Sequence, residues 1–393
     1  MNLIQEKVEQ AIGILQEKDV DLWLTFVRET SAGGDPIVPI IYGADLTWQS
    51  ALLLTSSGES TAIVGRLEVE AAKRVGAYQT VIGYDEGIKS ILVETLANLN
   101  PRKIAIDYSL ADVQADGLSY GMYQILLSTL EDTQHVDKLL TAEEIITALR
   151  GRKTRGEIER IQAAIRSTEE IYQNVFDNVK PGMSEVEISR YMQEQVIRAG
   201  LDLAWDEQHC PIVKAGPGSA LGHVGPSDAK LQKGQLLHLD FGIKQAGYCS
   251  DIQRMIYYLG DGEEMPPDDV QRGFDTVTGA IKAGVDAMKP GVAGKEIDAI
   301  VRNMILEAGY PEFKHAAGHQ IGREVHDGGA LLGPEWQRYG ESPNWLLEAG
   351  QVYTIEPSLI VEGFGNIGVE EDVLVTADGC EYLHETQTEL VIR

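Results

Sequence analysis

The chain has 393 residues, 43% hydrophobic and 24% charged, the composition of a folded globular protein with room for two domains. Its formal net charge of −28 repels nucleic acid and anionic lipid, so neither is an expected partner. No apolar run reaches the length of a membrane span, and three well-separated cysteines (Cys210, Cys249 and Cys380) suit a reducing cytoplasm better than a disulfide framework.

The opening run MNLIQEKVEQAIGILQEKDVDLW places apolar and charged residues at helical spacing and lacks the features of a signal peptide. Short β-rich runs follow at 20–26, 51–57, 61–65 and 103–107, with helical patterns at 66–75 and 86–99. Residues 1–145 therefore read as an α/β domain, whose Asp and Glu residues are expected on solvated helix faces and turns. A basic stretch, LRGRKTRGEIERI (149–161), marks the join to a second domain at 146–393. It reads either as an anion site for substrate or as a solvated helix face.

The second domain contains one pattern twice. KPGMSEVEISRYMQEQVIRAGL (180–201) and KPGVAGKEIDAIVRNMILEAGY (289–310) agree at seven of 22 positions. Each is a Lys-Pro-Gly turn, an amphipathic helix and a Gly stop. Gly-Gln at 234 then leads to Asp240, and Gly-Gln at 350 leads to Glu356. Each copy carries a second acid, Asp251 or Glu370. Four carboxylates meeting on a pseudo-twofold axis require compensating charge, which a metal pair supplies. A hairpin turning about Gln245 and Ala246 would set Asp240 directly opposite Asp251, where like charges repel unless a cation lies between them. In VEEDVLVT, strand alternation puts Glu370 and Asp372 on one face and Glu371 on the other, so the inward acid is ambiguous. His315, His319 and His326 lie within twelve residues, and His223 sits in a Gly-rich loop. Mixed carboxylate and imidazole ligation suits Mn, Co, Fe or Zn. A metal pair of this kind generates hydroxide and polarises a carbonyl, which is equipment for amide hydrolysis. Long helices with acids on intervening β-rich runs indicate an α+β arrangement, helices on one face of a curved, largely antiparallel sheet.

These residues resemble the pita-bread metallopeptidases, which include Xaa-Pro aminopeptidase, prolidase, methionine aminopeptidase and creatinase. The resemblance covers essentially the whole second domain and implies a pita-bread fold. It implies a metal set of Asp240 in LDFG, Asp251 in SDI, His319 in HAAGHQIG, Glu356 in TIEP and Glu370 in VEEDVLVT. It further implies that two divalent ions, Mn foremost and Co, Zn or Fe as alternatives, hold a bridging hydroxide that attacks the carbonyl before proline. Glu356 would be ligand and proton shuttle. His223 and His326 would be catalytic and substrate-contacting, and His315 a further substrate-side histidine. The first domain resembles the creatinase-type N-terminal domain, which points to the Xaa-Pro side of the family. Short peptides with proline at the second position, a homodimer and a cytoplasmic location follow from the same resemblance.

Four departures stand out. Gly368 occupies a position that commonly holds Arg, and Gly222 one that holds Pro. His326-Asp327-Gly328-Gly329 is nearer the aminopeptidase form than the prolidase form, and residues 334–345 replace a shorter link. Two other activities fit the fold, a C–N hydrolase of a small amide or amidine and a retired binding protein. Relatives of both kinds lose ligands that this chain keeps.

Overall fold

The computed structural model describes residues 2–219, 222 and 224–393, so His223 lies outside the described residues. The chain forms two compact units, Met1–Arg150 and Gly151–Arg393.

The first unit runs α1 (Leu3–Glu17), β1 (Leu22–Val27), α2 (Val38–Ile41), β2 (Ser50–Thr55), β3 (Ser60–Gly65), α3 (Val69–Val75) and β4 (Thr80–Tyr84). It continues through α4 (Lys89–Leu99), β5 (Ile104–Ile106), α5 (Tyr120–Leu130), β6 (Leu139–Thr141) and α6 (Glu143–Gly151). The six strands make one mixed sheet, ordered β4-β3-β2-β1-β5-β6. Period-two alternation splits β1 between two cores. Leu22, Leu24 and Phe26 pack with Leu92, Leu96 and Leu126 of α4 and α5. Trp23 and Val27 pack with Ala11, Ile14 and Leu15 of α1. The result is a sheet covered on both faces.

The acids of this unit are not all solvated. Asp35, Asp107 and Asp112 are buried. Each has a reason to be there: Asp107 accepts from the Trp23 indole, Asp35 from the Ile37 amide, and Asp112 from the Gln114 amide and the Thr147 hydroxyl. Burial pushes Asp35 up to about 6 and Asp107 well above the carboxylate range.

The second unit begins α7 (Arg155–Asn178), α8 (Glu185–Ala199), β7 (Asp202–Leu203), β8 (Ile212–Ala215), β9 (Gln235–Phe241), β10 (Ile243–Gln245), β11 (Tyr248–Cys249) and β12 (Ile252–Tyr258). It continues α9 (Asp268–Ala287), α10 (Gly294–Glu307), β13 (Val352–Ile355), β14 (Ser358–Val361), β15 (Gly365–Gly368), β16 (Glu371–Val375), β17 (Cys380–Tyr382) and β18 (Val391–Ile392). The sequence repeat is a structural repeat, visible in paired hydrogen bonds. Gly182 donates to Leu231 at 2.7 Å, and its counterpart Gly291 to Leu347 at 2.8 Å. Gly234 donates to Tyr258 at 2.7 Å, and Gly350 to Val375 at 2.8 Å. All four glycines have positive φ, which is why both copies require Gly there. Ser184 and Glu187 form a full capping box on α8. The second copy keeps only half of it, with Glu296 accepting from the Ala293 amide at 3.1 Å.

The sheet is assembled from small pieces. A β18-β12-β9-β8 sheet and a β13-β16-β17 sheet are stitched by the single bridge Gln253↔Glu370. Helices α9 and α10 bury Phe274, Val277, Ile281, Ile297 and Val301 against Met255, Tyr353, Ile355 and Val373 of these strands. The fold class is thus the expected α+β.

The hairpin register differs from the expected one. Lys244 pairs with Cys249, Gln245 with Tyr248, and Asp240 with Gln253. The turn therefore centres on Ala246 and Gly247, one residue further on. Both have positive φ, 51° and 79°, as a two-residue type I′ turn requires, and Gly suits its second position. Asp251 is consequently offset two residues from Asp240's partner, on the same face but not directly opposite.

The basic stretch is neither an anion site nor a solvated face. Arg152 makes a two-pronged pair with Glu348 at 2.8 and 2.9 Å, and Lys153 is fully buried against Asp327 at 2.9 Å. Only Arg155, paired with Glu159, keeps to the surface. Residues 174 and 196 positions away in sequence had to be known before these partners could be named.

Candidate metal centre

Four strands and one loop converge on an acidic cup. Asp240 ends β9 and Asp251 precedes β12. Helix α7 fixes both: the Tyr172 hydroxyl donates to the Ile252 carbonyl at 2.6 Å and the Leu239 carbonyl at 3.2 Å. Thr168 and Ser250 share a hydroxyl contact at 2.7 Å, and Ser250 accepts from the Ile243 amide. From the second copy, Glu356 follows β13 and Glu370 precedes β16. His319 lies on a segment laid along β13, where its carbonyl accepts from the Thr354 amide at 2.8 Å. Gly318 permits that approach, since a Cβ there would stand 2.1 Å from the Thr354 carbonyl oxygen.

The distances are those of a ligand cluster. Asp251, His319 and Glu370 present ligand atoms all within 4.8 Å of one another. His319 Nε2 lies 3.5 Å from Glu356 Oε1 and 3.8 Å from Asp251 Oδ2. His319 Nδ1 donates to the Gln320 carbonyl, which leaves Nε2 unprotonated and aimed at the acids. Asp251 Oδ1 and Glu370 Oε1 are buried without a hydrogen bond among the described residues.

Electrostatics carries the same message. Burial is the first cause of every displacement here; repulsion by neighbouring acids comes second for Asp251, Glu356 and Glu370, while Lys214 opposes the displacement of Asp240. Asp240 is pushed up to about 7 and Glu356 to about 8, while Asp251 and Glu370 rise well above the carboxylate range. Burial and the neighbouring His326 depress His319 to about 3. Among the described residues, Lys214 offsets part of the effect at Asp240 and the Gln253 amide part of that at Glu356, while the influences on Asp251 and Glu370 are all upward. Hard oxygens with one neutral imidazole are the donor set for divalent first-row ions, and the five residues fit that group.

The neighbouring acids separate cleanly. Glu371 points away and pairs with Arg254 at 3.1 Å and His384 at 3.4 Å, and accepts from the Gln387 amide at 2.8 Å. Asp372 stays beside the cup, accepting from the Asp251 amide at 3.4 Å, and burial raises it to about 7. Glu371→Gln is expected to leave metal content unchanged and to lower stability by about 3–5 kcal/mol, the effect of breaking a buried ion pair. Glu370→Gln should do the reverse. Elemental analysis beside thermal melts distinguishes them, and loss of metal from the Glu371 variant alone would reverse the assignment.

The remaining histidines differ from one another. The His326 ring stands perpendicular to that of His319 with centroids 4.4 Å apart, and it is exposed to solvent. Lys153–Asp327 anchors the next residue. His315 uses both nitrogens inside the protein, on the Ser358 hydroxyl at 2.9 Å and the Ala316 carbonyl at 2.8 Å. The sequence reading did not find the pair that secures the histidine segment. Buried Arg302 is chelated by Asp298 at 2.7 and 2.8 Å and donates to the Phe313 and His315 carbonyls, while Asp298 accepts from the Ala317 amide. The i, i+4 spacing of Asp298 and Arg302 on α10 is the one signal the sequence offered.

The sequence profile of metallopeptidase family M24 matches residues 159–377, more than half of the chain and all five residues of the cup. The chain belongs to metallopeptidase family M24. The M24 chain is 28% identical to the Xaa-Pro dipeptidase of Pyrococcus horikoshii over 402 aligned positions, covering the whole of both proteins. It is 27% identical to an uncharacterised peptidase of Bacillus subtilis, over 87% of this chain and 90% of that one. Among solved structures it superposes on the Xaa-Pro dipeptidase of Bacillus anthracis with a TM-score of 0.76 at 26% identity, over 99% of this chain and 100% of that one. The X-Pro aminopeptidase of Thermotoga maritima gives 0.72 at 27% identity, over 98% and 99%. The pita-bread fold and a metallopeptidase activity are thereby established for this M24 member. Among the described residues, no helix is long and apolar enough to cross a membrane.

Proposed function

We propose that this protein hydrolyses the peptide bond before proline in short Xaa-Pro peptides, using two divalent ions held by Asp240, Asp251, His319, Glu356 and Glu370. The observation that carries the proposal is the convergence of Asp251, His319 and Glu370 within 4.8 Å of one another, with Glu356 3.5 Å from His319 and, among the described residues, carboxylate oxygens of Asp251 and Glu370 left unpartnered. The Xaa-Pro dipeptidases and the X-Pro aminopeptidase that align with nearly the full chain support the substrate class. Bound ions supply Lewis acidity toward the carbonyl and hydroxide at neutral pH. Mn is the first candidate, with Co, Zn and Fe behind it, since the cup offers no thiolate.

Glu356 takes the proton-handling role. Its carboxyl is displaced toward neutrality, and Oε1 faces His319 and the interior of the cup. His326, beside His319 and open to solvent, takes the role of steadying the reacting carbonyl; His223, outside the described residues, is assigned the other side of the scissile bond on the family resemblance alone. His315 serves the substrate side through Ser358, which it holds in place. A cytoplasmic homodimer completes the proposal. Leu110, Val113 and Tyr120 of the first unit are exposed apolar side chains that a second copy would cover.

The test is turnover of an Xaa-Pro dipeptide and an Xaa-Pro-Xaa tripeptide by protein reconstituted with Mn or Co. Cleavage of at least one is expected, with two ions per chain and a scattering mass twice 43.1 kDa. Full metal loading with neither peptide cleaved defeats the Xaa-Pro assignment and leaves another C–N bond as the substrate.

A further inference from the structure

Gly368, where relatives of the pita-bread type commonly hold Arg, is not an empty position. A Cβ built on Gly368 would lie 2.7 Å from Gln253 Oε1 and 3.0 Å from His238 Nε2. The room made by having no side chain there is filled by an amide and an imidazole from the neighbouring strands. Both residues are buried, at 5% exposure for His238 and 6% for Gln253.

The three groups form a directed chain that ends on the metal cup. His238 Nε2 lies 2.8 Å from Gln253 Oε1, and Gln253 Nε2 lies 3.2 Å from Glu356 Oε2. The direction is fixed by chemistry. As a ligand to a cation Glu356 is a carboxylate and accepts only, so Gln253 turns its NH₂ toward it. The Gln253 carbonyl oxygen then faces His238, which must donate from Nε2. His238 Nδ1 is buried and makes no hydrogen bond among the described residues, as an unprotonated nitrogen there allows. The backbone registers all of this: Gln253 pairs with Asp240 across β9 and β12, and bridges to Glu370. Gln253 is thus attached to both halves of the cup and reaches a third ligand with its side chain.

We infer that Gln253 is a positioning residue of the metal centre, held by His238 in the space vacated at Gly368, and that it fixes the Glu356 carboxylate so that Oε1 alone faces the reacting groups. The inference rests on the reading of Glu356 as ligand and proton carrier. It assigns the place beside Glu356 to a neutral amide, so this protein orients that glutamate without adding a cation.

The experiment compares wild type, Gln253→Met, His238→Leu and Gly368→Ala, each loaded with Co²⁺. Three properties are read: Co per chain, the visible absorption spectrum of the bound Co, and kcat and KM on an Xaa-Pro dipeptide. Gln253→Met keeps volume but removes the donor. It is expected to retain two Co per chain, change the spectrum, and lower kcat about 10–100-fold with KM within about threefold, the effect of one lost hydrogen bond to a charged group. Gly368→Ala should reproduce the lesion by displacing the amide, and the double variant should be no worse than the poorer single one. His238→Leu, which frees the amide, should fall between. The inference is overturned if Gln253→Met and Gly368→Ala leave both spectrum and kcat unchanged, or if their effects simply add. A merely structural role would lower the melting temperature while the folded fraction kept wild-type spectrum and kcat. If no protein, wild type included, cleaves an Xaa-Pro peptide, the functional reading fails, and the Co spectra still decide the role of Gln253.

Discussion

Replacing Asp251 by Asn is expected to lower turnover of the metal-loaded protein at least about 10³-fold, a transition-state loss of about 4 kcal/mol. Asp251 stands at the middle of the cup, 3.8 Å from the His319 nitrogen and within reach of Glu370, and Asp240 and Glu356 both repel it. The same change should make the metal-free protein more stable. It deletes one charge from a group of buried like charges, and the Asp251 amide keeps its hydrogen bond to Asp372. Activity and metal content therefore fall while the melting temperature of the apoprotein rises. Metal titration, kinetics and apoprotein melts on the one variant test all three signs. A variant that is inactive and also less stable without metal would mean that Asp251 supports the fold and not the cation.

The second large effect is a pH dependence that metal reverses. Asp240, Asp372 and Glu356 are raised to about 7, 7 and 8 in the folded chain, chiefly by burial. In the unfolded chain such groups titrate near 4. The folded apoprotein thus holds protons that the unfolded chain has released, and this stability is lost as pH rises through 7 to 8. His319, depressed to about 3, works in the opposite sense, but only below about 6.5 where an unfolded histidine gains its proton. From pH 6.5 to 8, therefore, His319 no longer opposes the carboxylates, and His384, whose imidazolium is raised above its ordinary range, acts in the same sense as they do. One to two protons over that interval correspond to about 2–4 kcal/mol, or roughly 4–8 °C of melting temperature for a unit of this size. Metal-free protein should melt lower at pH 8 than at 6.5, and protein in excess Mn should not. An apoprotein whose melting temperature is flat or rising across the window contradicts the picture of four uncompensated buried acids.

What the sequence revealed and what it hid divide along one line. Local grammar was legible. The Lys-Pro-Gly turns, helix stops and paired acids each sit within a few residues of their cause, whereas strand alternation separated Glu371 from Glu370 and Asp372 without saying which face turns inward. The hairpin register was missed by one turn residue, because Gln245-Ala246 and Ala246-Gly247 read alike until the positive φ of both turn residues is seen. The edge strands β4 and β6 were missed because one carries Gly83 and the other has three residues, too little for a period to show. Partners remote in sequence were not legible at all. Lys153 with Asp327, Trp23 with Asp107, and Gln253 with Glu356 are each ordinary surface-type or amide residues until the fold brings a second element against them.

The single bridge between Gln253 and Glu370 also orders events in time. Each acid pair belongs to its own local segment, 240 to 251 or 356 to 370, and can form early. Joining the two requires closing 117 residues, with α9 and α10 in between, and contacts of such long range are made late. A cation meeting the nascent chain finds half a cup and weak retention. It binds well only after the halves have met, past the main barrier. Metal should accordingly leave the rate of folding almost untouched and act on the return journey, slowing unfolding in proportion to its affinity.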